Sequence, residues 1–202
     1  MGLMLLTTGQ AAGELGCAVT TFRRLVHAEV LPGLGSRGNR VMVPWDVVQR
    51  LRDRPAAPLH RLSAPEVAVL RVNVAQPVRE PARQWIGFSA VLGPDDLLKG
   101  LQGWWRCDPE SVAAGGLLPV TLSGYVVAVL TQVQTWEKDR GRYRFPDAVL
   151  AGYVTDLVGP VKHLTDAGPG DRAAAELLLG SRLVSHSGGA IAYVPAGSTS
   201  AG

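Results

Sequence analysis

The chain has 202 residues, of which 47% are hydrophobic and 18% are charged, so it can bury a core and is not disordered throughout. The formal net charge of +3 is too small to identify a nucleic-acid partner. However, residues 1–60 hold seven arginines against four acidic residues, so the excess positive charge lies in the N-terminal segment.

The two cysteines, Cys17 and Cys107, have no Cys or His beside them at the spacing of metal ligands, so we expect reduced thiols and no metal. The apolar start of the chain lacks the basic flank of a signal peptide. Residues 117–133 are apolar but include Pro119 and Gly124, which favours strands over a membrane span. We expect a cytoplasmic, nucleoid-associated bacterial protein with no membrane partner.

Two short helices are predicted near the N-terminus. Thr7 and Gln10 have the spacing of a capping box, which predicts a first helix that Gly16 ends. A second helix is predicted to begin at Thr20 or Thr21. Its inward positions, at helical spacing, are Val19, Phe22, Leu25 and Val26. Its outward positions are then Thr20, Arg23, Arg24 and His27.

A basic hairpin and a third helix are predicted next. Gly38 and Asn39 form a hairpin-turn dipeptide, and Arg37 and Arg40 flank it on a projecting loop. Residues 45–51 have the apolar spacing of a helix. Pro55 follows closely and predicts that this helix stops there.

This order of elements resembles the winged helix-turn-helix domains of the MerR-like and excisionase-like families. Residues 6–16 resemble their first helix, and residues 20–25 resemble the recognition helix. Residues 30–32 resemble the exit from that helix, residues 37–44 the wing, and residues 45–51 the closing helix. MerR-like regulators usually continue into a long dimerisation helix. No heptad run follows here, which favours the excisionase-like end of the group.

The resemblance implies binding to double-stranded DNA, together with self-association on the DNA. Arginines on a helix in the major groove pair with guanine edges or phosphates, and wing arginines meet phosphates or enter the minor groove. The residues expected to contact DNA are Thr20, Thr21, Arg23, Arg24, His27, Arg37, Asn39 and Arg40.

The rest of the chain predicts a second, β-rich domain. Residues 1–54 form the DNA-binding domain, 55–64 a Pro/Ala-rich linker, 65–195 a sensing or assembly domain, and 196–202 a flexible tail. Strands are predicted at 67–74, 85–91, 117–122, 125–133, 141–145 and 190–194, and helices at 94–101 and 169–179. The expected fold class is α+β, with a small barrel or curled sheet and one or two helices in the second domain.

The aromatic residues of the second domain suggest a ligand pocket. Residues 103–106, 125–129 and 142–145 resemble the PUA/EVE/ASCH-like barrels, which bind nucleotides, RNA or modified bases in aromatic-lined pockets. The resemblance implies a nucleotide or other small-molecule ligand. The candidate pocket residues are Trp104, Trp105, Trp136 and Tyr143, and their alternative role is to fill the core or a dimer contact.

No catalytic motif is recognisable, so we expect neither an enzyme nor a cofactor. The leading hypothesis is a bacterial transcriptional regulator that reads specific DNA sequences. The alternatives are an excisionase-like recombination or plasmid-maintenance factor, and a reader of modified DNA or nucleotides through the aromatic pocket. An enzyme acting on nucleotides is a more distant alternative.

Overall fold

The computed structural model describes residues 4–197, in which helices and strands are mixed. Of the predicted tail, residues 198–202 lie outside the described part, as do residues 1–3. The N-terminal elements are β1 (Leu5–Thr7), α1 (Thr8–Glu14), α2 (Val19–His27), β2 (Gly35–Arg37), β3 (Arg40–Pro44) and α3 (Trp45–Arg52). The predicted order of helix, helix, hairpin and helix is therefore present, with an additional strand, β1, before the first helix.

The remaining elements begin with a short 3-10 helix at Leu59–Arg61. They continue with β4 (Glu66–Arg71), β5 (Gln76–Glu80), β6 (Arg83–Ile86), α4 (Pro94–Leu101), α5 (Pro109–Gly115), β7 (Leu117–Leu122), β8 (Tyr125–Thr131), β9 (Glu137–Asp139), β10 (Arg142–Arg144), β11 (Val149–Asp156), β12 (Val161–Leu164), α6 (Pro169–Leu178) and β13 (Ile191–Pro195). The chain is thus α+β, as expected.

A six-stranded sheet forms the body of the molecule, in the order β12-β11-β8-β7-β4-β13. The sheet is open, so of the two predicted forms, a barrel or a curled sheet, the barrel is wrong. All neighbouring strands are antiparallel except β4 and β7, which run parallel with Leu70 opposite Val120. Parallel neighbours need a long crossover, and residues 72–116 supply it. This crossover carries the β5–β6 hairpin, α4 and α5, and α5 packs against both β4 and β7.

The centre of this sheet is covered on both faces. Every residue of β7 and β8 is buried, which is the pattern of strands inside a layered fold. Three α-helices accompany the sheet, whereas one or two were expected. The additional helix is α5, which the sequence pattern does not predict. Helix α6 packs against β8, β11 and β12.

Two of the hairpins have the tight turns that suit the twist of a sheet. Ser123 and Gly124 have φ values of 53° and 83°, and Arg140 and Gly141 have φ values of 47° and 75°. Two successive positive φ values are typical of a type I′ turn. The turn at Ser123-Gly124 joins the two strands predicted at 117–122 and 125–133. The charged segment before Gly141 has the composition of a turn, but residues 137–139 form strand β9.

The N-terminal elements are joined to the body by hydrogen bonds. The Tyr125 hydroxyl donates to the Leu51 carbonyl at 3.1 Å, and the Ser123 hydroxyl donates to the Thr21 carbonyl at 2.8 Å. The Leu157 N–H also donates to the Val30 carbonyl at 3.0 Å. The buried apolar side chains of both parts belong to one continuous cluster. The N-terminal elements therefore do not sit on the body as a loosely tethered unit.

The segment predicted as a linker lies against the body. The Arg182 carbonyl accepts a hydrogen bond from the Ala57 N–H, and the Arg182 N–H donates to the Pro55 carbonyl, both at 2.8 Å. Leu59 is buried in the common core. The Arg54 side chain donates to the Gly180 carbonyl at 2.8 Å. Gly180, which follows α6, has a φ of +77°, and a Cβ there would lie 2.9 Å from Pro160.

We expect Tyr125→Phe to lower the free energy of unfolding by about 1 kcal/mol, because it removes a buried hydrogen bond that joins the two parts of the chain. Urea unfolding followed by circular dichroism measures this change. Tyr153→Phe is the matched control, since the Tyr153 hydroxyl has no hydrogen-bond partner among residues 4–197. Equal destabilisation of the two variants would contradict the role given to Tyr125.

Candidate nucleic-acid interface

Helix α1 begins where the sequence predicted. The Gln10 N–H donates to the Thr7 hydroxyl at 3.3 Å, and the Gln10 side chain accepts from the Thr7 N–H at 2.9 Å. The predicted capping box is therefore confirmed. After the helix, Gly16 has a φ of +65°, the left-handed conformation that glycine adopts without strain. This turn sets the direction in which α2 leaves α1.

Helix α2 is anchored by Phe22 and Leu25, whose side chains are fully buried. It begins at Val19 rather than at Thr20 or Thr21, and no side chain caps it. Val19 was predicted to face inward but is 38% exposed, because the first turn of α2 stands clear of the apolar cluster. The residues predicted to face outward are all exposed, namely Thr20, Arg23, Arg24 and His27.

Strands β2 and β3 form the predicted hairpin. Arg37 pairs with Arg40 across the turn, and Gly38 has a φ of +59°. All four residues from Arg37 to Arg40 are exposed. The base of the hairpin is held by β1, which pairs with β3 and places Leu6 opposite Val43. Both of these side chains are buried, so the hairpin projects from a fixed base.

Helix α2 and the hairpin together line a cleft of about 510 Å³, here called the hairpin cleft. Arg23 and His27 come from α2, whereas Asn39 and Arg40 come from the hairpin. The other lining residues are Thr7, Thr8, Val26 and Val41, so the lining includes no acidic residue. The fold therefore brings half of the eight predicted DNA-contacting residues to one cleft, with Arg37 beside it on the hairpin.

The arginines of this region are free of ion pairs. Among residues 4–197, the arginines that form ion pairs with acidic residues are Arg50, Arg52, Arg83 and Arg144. Arg23, Arg24, Arg37 and Arg40 are not among them. A guanidinium group matches the geometry of a phosphate or a guanine edge. These side chains are therefore free to bind such a group of an external partner.

The other predicted contact residues on α2 lie elsewhere. Thr21 and Arg24 line a second cleft of about 760 Å³ on the opposite side of α2, formed with the body. The Thr21 carbonyl also accepts a hydrogen bond from the Ser123 hydroxyl. Thr20 is exposed and lines neither cleft. Further basic residues of this second cleft, such as Arg71 and Arg182, come from distant parts of the chain, and no local pattern marked them.

The predicted aromatic pocket does not line either cleft. Trp105 and Tyr143 pair through two backbone hydrogen bonds of 2.8 Å, and the Trp105 ring lies against Gly103, where a Cβ would approach it to 2.5 Å. Arg144 stacks 5.2 Å above the Trp104 ring, and Lys138 lies 5.7 Å above the Tyr143 ring. Trp136 is 37% exposed. Three of the four aromatic residues are therefore engaged by neighbours in the protein.

The two thiols are not activated. Burial, and then the charge of Asp108, raise the pKa of Cys107 to about 11, and burial also raises the pKa of Cys17. Both therefore remain protonated near neutral pH. Within residues 4–197 there is no cluster of three or more His, Cys, Asp or Glu side chains that could hold a metal ion. No helix in the described part of the chain is long and apolar enough to cross a membrane.

Comparison with known proteins finds no match among family models, curated proteins or solved structures. Any functional assignment must therefore be argued from the residues and geometry of this chain. The exposed, unpaired arginines beside the hairpin cleft are the strongest such feature.

We expect Trp105→Ala to destabilise the fold by about 2 kcal/mol or more, because the ring is packed against the chain at Gly103. Trp136→Ala should change the free energy of unfolding by only about 0.5 kcal/mol or less, as is usual for an exposed side chain. Thermal unfolding of the two variants measures this difference. A Trp105→Ala variant as stable as the wild type would restore that ring as a candidate for ligand binding.

Proposed function

We propose that the chain is a sequence-specific DNA-binding protein, acting as a bacterial transcriptional regulator in the cytoplasm at the nucleoid. In this proposal α2 is a recognition helix that enters the major groove of double-stranded DNA, and the β2–β3 hairpin is the wing of a winged helix-turn-helix domain. One observation carries the proposal. Arg23 and His27 of α2 share a cleft with Asn39 and Arg40 of the hairpin, and no acidic side chain lines it.

The chemistry of these side chains suits two kinds of DNA contact. Arg23 lies on an exposed helix face, from which a guanidinium group can donate two hydrogen bonds to O6 and N7 of guanine. Arg37 and Arg40 lie side by side at the tip of the hairpin, where they can contact phosphates or enter the minor groove. The first contact would specify sequence and the second would set position and affinity.

The support beneath α2 favours a rigid docking surface. Phe22 and Leu25 are buried in the core, and the Ser123 hydroxyl holds the Thr21 carbonyl from the opposite side of the helix. A helix held in this way loses little conformational freedom when it binds, which reduces the entropic cost of association.

A second candidate function uses the same interface. Helix α3 ends at Arg52, and the chain then turns onto the body, where Pro55 and Ala57 bind Arg182. Residues 53–58 therefore do not continue α3 into a long dimerisation helix of the MerR-like kind. This arrangement favours an excisionase-like recombination or plasmid-maintenance factor as the alternative, with protomers associating side by side on repeated sites. We do not propose that the chain reads modified bases, because Trp104, Trp105 and Tyr143 have partners within the protein.

The proposal is tested by capture of sheared genomic DNA from the source organism with the purified protein, followed by sequencing. A short motif enriched in the captured pool supports sequence-specific binding. Its position beside promoters supports regulation, and its position beside attachment or replication sites supports the recombination alternative. Capture without any enriched motif would contradict the proposal.

We expect Arg23→Ala to weaken binding to the captured motif by about 1–3 kcal/mol, because it removes a base contact. Binding to a scrambled duplex of the same length should change much less. Fluorescence anisotropy with both duplexes measures the two affinities. Arg79→Ala is the matched control, since Arg79 is exposed on β5 and makes no ion pair among residues 4–197. Unchanged motif affinity in Arg23→Ala would remove α2 from the base contacts.

We expect the double variant Arg37→Ala and Arg40→Ala to weaken binding to both duplexes alike, because phosphates are common to every sequence. The slope of log K against log salt should become shallower by about 0.9 for each phosphate that the hairpin no longer neutralises. Anisotropy titrations over a series of salt concentrations measure this slope. A slope equal to that of the wild type would mean that the hairpin does not touch the DNA backbone.

A further inference from the structure

The larger cleft lies between α2 and the body, and we call it the arginine cleft. Its volume is about 760 Å³, within the range of sites that bind small molecules. Arg24 reaches it from α2, Arg71 from the end of β4, and Arg182 from the segment between α6 and β13. The cleft is therefore assembled from three separate parts of the chain.

The charge of this cleft is unbalanced. Besides the three arginines, His186 lines it, and the lining residues include no Asp or Glu. None of the three arginines forms an ion pair among residues 4–197. Like charges gathered at one site repel each other, and an anion bound among them would remove that cost.

Most of the hydrogen-bond donors at the arginine cleft are unused. A guanidinium group has five N–H donors, and within residues 4–197 Arg71 uses one of them, which donates to the Ser187 carbonyl at 2.7 Å. Arg182 has one long side-chain contact, 3.5 Å to the Arg52 carbonyl. The side chains of Asn73 and His186 also line the cleft and make no hydrogen bond within residues 4–197. Several donors without acceptors at one site match the many acceptor oxygens of a phosphate group.

The cleft faces away from the proposed DNA-binding surface. Arg23 lines the hairpin cleft, whereas Arg24 lines the arginine cleft, because successive residues of a helix are rotated by about 100°. The second cleft is also walled by the body, through residues such as Gly124 and Leu183. The volume of about 760 Å³ suits a compact ligand.

We propose that the arginine cleft is a binding site for a small molecule that carries two or more phosphate groups. Arg24, Arg71 and Arg182 would pair with the phosphates, and Asn73 and His186 would supply further hydrogen bonds. The exposed side chain of Val184 at the rim would meet a less polar part of the ligand. This proposal stands on the cleft alone and does not depend on the proposed DNA binding.

The test is isothermal titration calorimetry of the full chain with pyrophosphate, in the absence of DNA and of divalent metal ions. We expect saturable binding at one site. Arg71→Gln and Arg182→Gln should each weaken it by about tenfold or more, since each removes charged hydrogen bonds. Arg79→Gln and Arg106→Gln, which remove the same charge from exposed residues outside both clefts, should leave the affinity unchanged. Because Arg71 also holds Ser187, the Arg182 variant tests the site without disturbing that loop.

Three results would overturn the proposal. The first is the absence of saturable binding, and the second is equal weakening by all four variants, which would indicate non-specific attraction. The third is that Arg71→Gln and Arg182→Gln weaken binding to the captured DNA motif as strongly as Arg23→Gln does, which would assign the cleft to backbone phosphates. A chain that binds pyrophosphate as expected but enriches no DNA motif would leave this site intact and refute only the proposed function.

Discussion

The burial of Phe22 and Leu25 beneath α2 is the constraint on which both candidate sites depend. These side chains join α2 to the apolar cluster that continues into the six-stranded sheet. Hydrogen bonds from Ser123 and Tyr125 at the β7–β8 hairpin then fix the N-terminal elements from below. With one side of α2 held in this way, its two flanks become the walls of two separate clefts.

The two flanks differ in what they face. On one flank the neighbour is a short, exposed hairpin, which lines the smaller cleft together with α2. On the other flank the neighbour is the body, which lines the larger cleft together with α2. Arg23 and Arg24 are adjacent in the sequence and chemically identical, yet the surroundings of each suit a different anion.

The sequence predicted well those features that depend on local interactions. The capping box at Thr7, the turn glycine Gly16, the hairpin turns at Gly38 and Ser123 and the end of α3 before Pro55 all follow from short segments, and each is present. The sequence prediction failed where pairing between distant segments determines the structure. Strand β11 was not recognised, although it lies inside the main sheet, where a Cβ at Gly152 would lie 3.0 Å from the Leu179 side chain and 3.1 Å from the His163 carbonyl.

By itself, therefore, the sequence determined the helices, the hairpin and the exposed basic residues of the N-terminal segment, because caps, turns and helical periodicity are set within a few residues. It also determined that the chain is α+β. The tertiary structure alone decided the strand order of the open sheet, because the parallel pairing of β4 with β7 joins residues some fifty positions apart. It alone gathered Arg24, Arg71 and Arg182 at one cleft. Their proximity follows from the packing of distant segments, which no local pattern encodes.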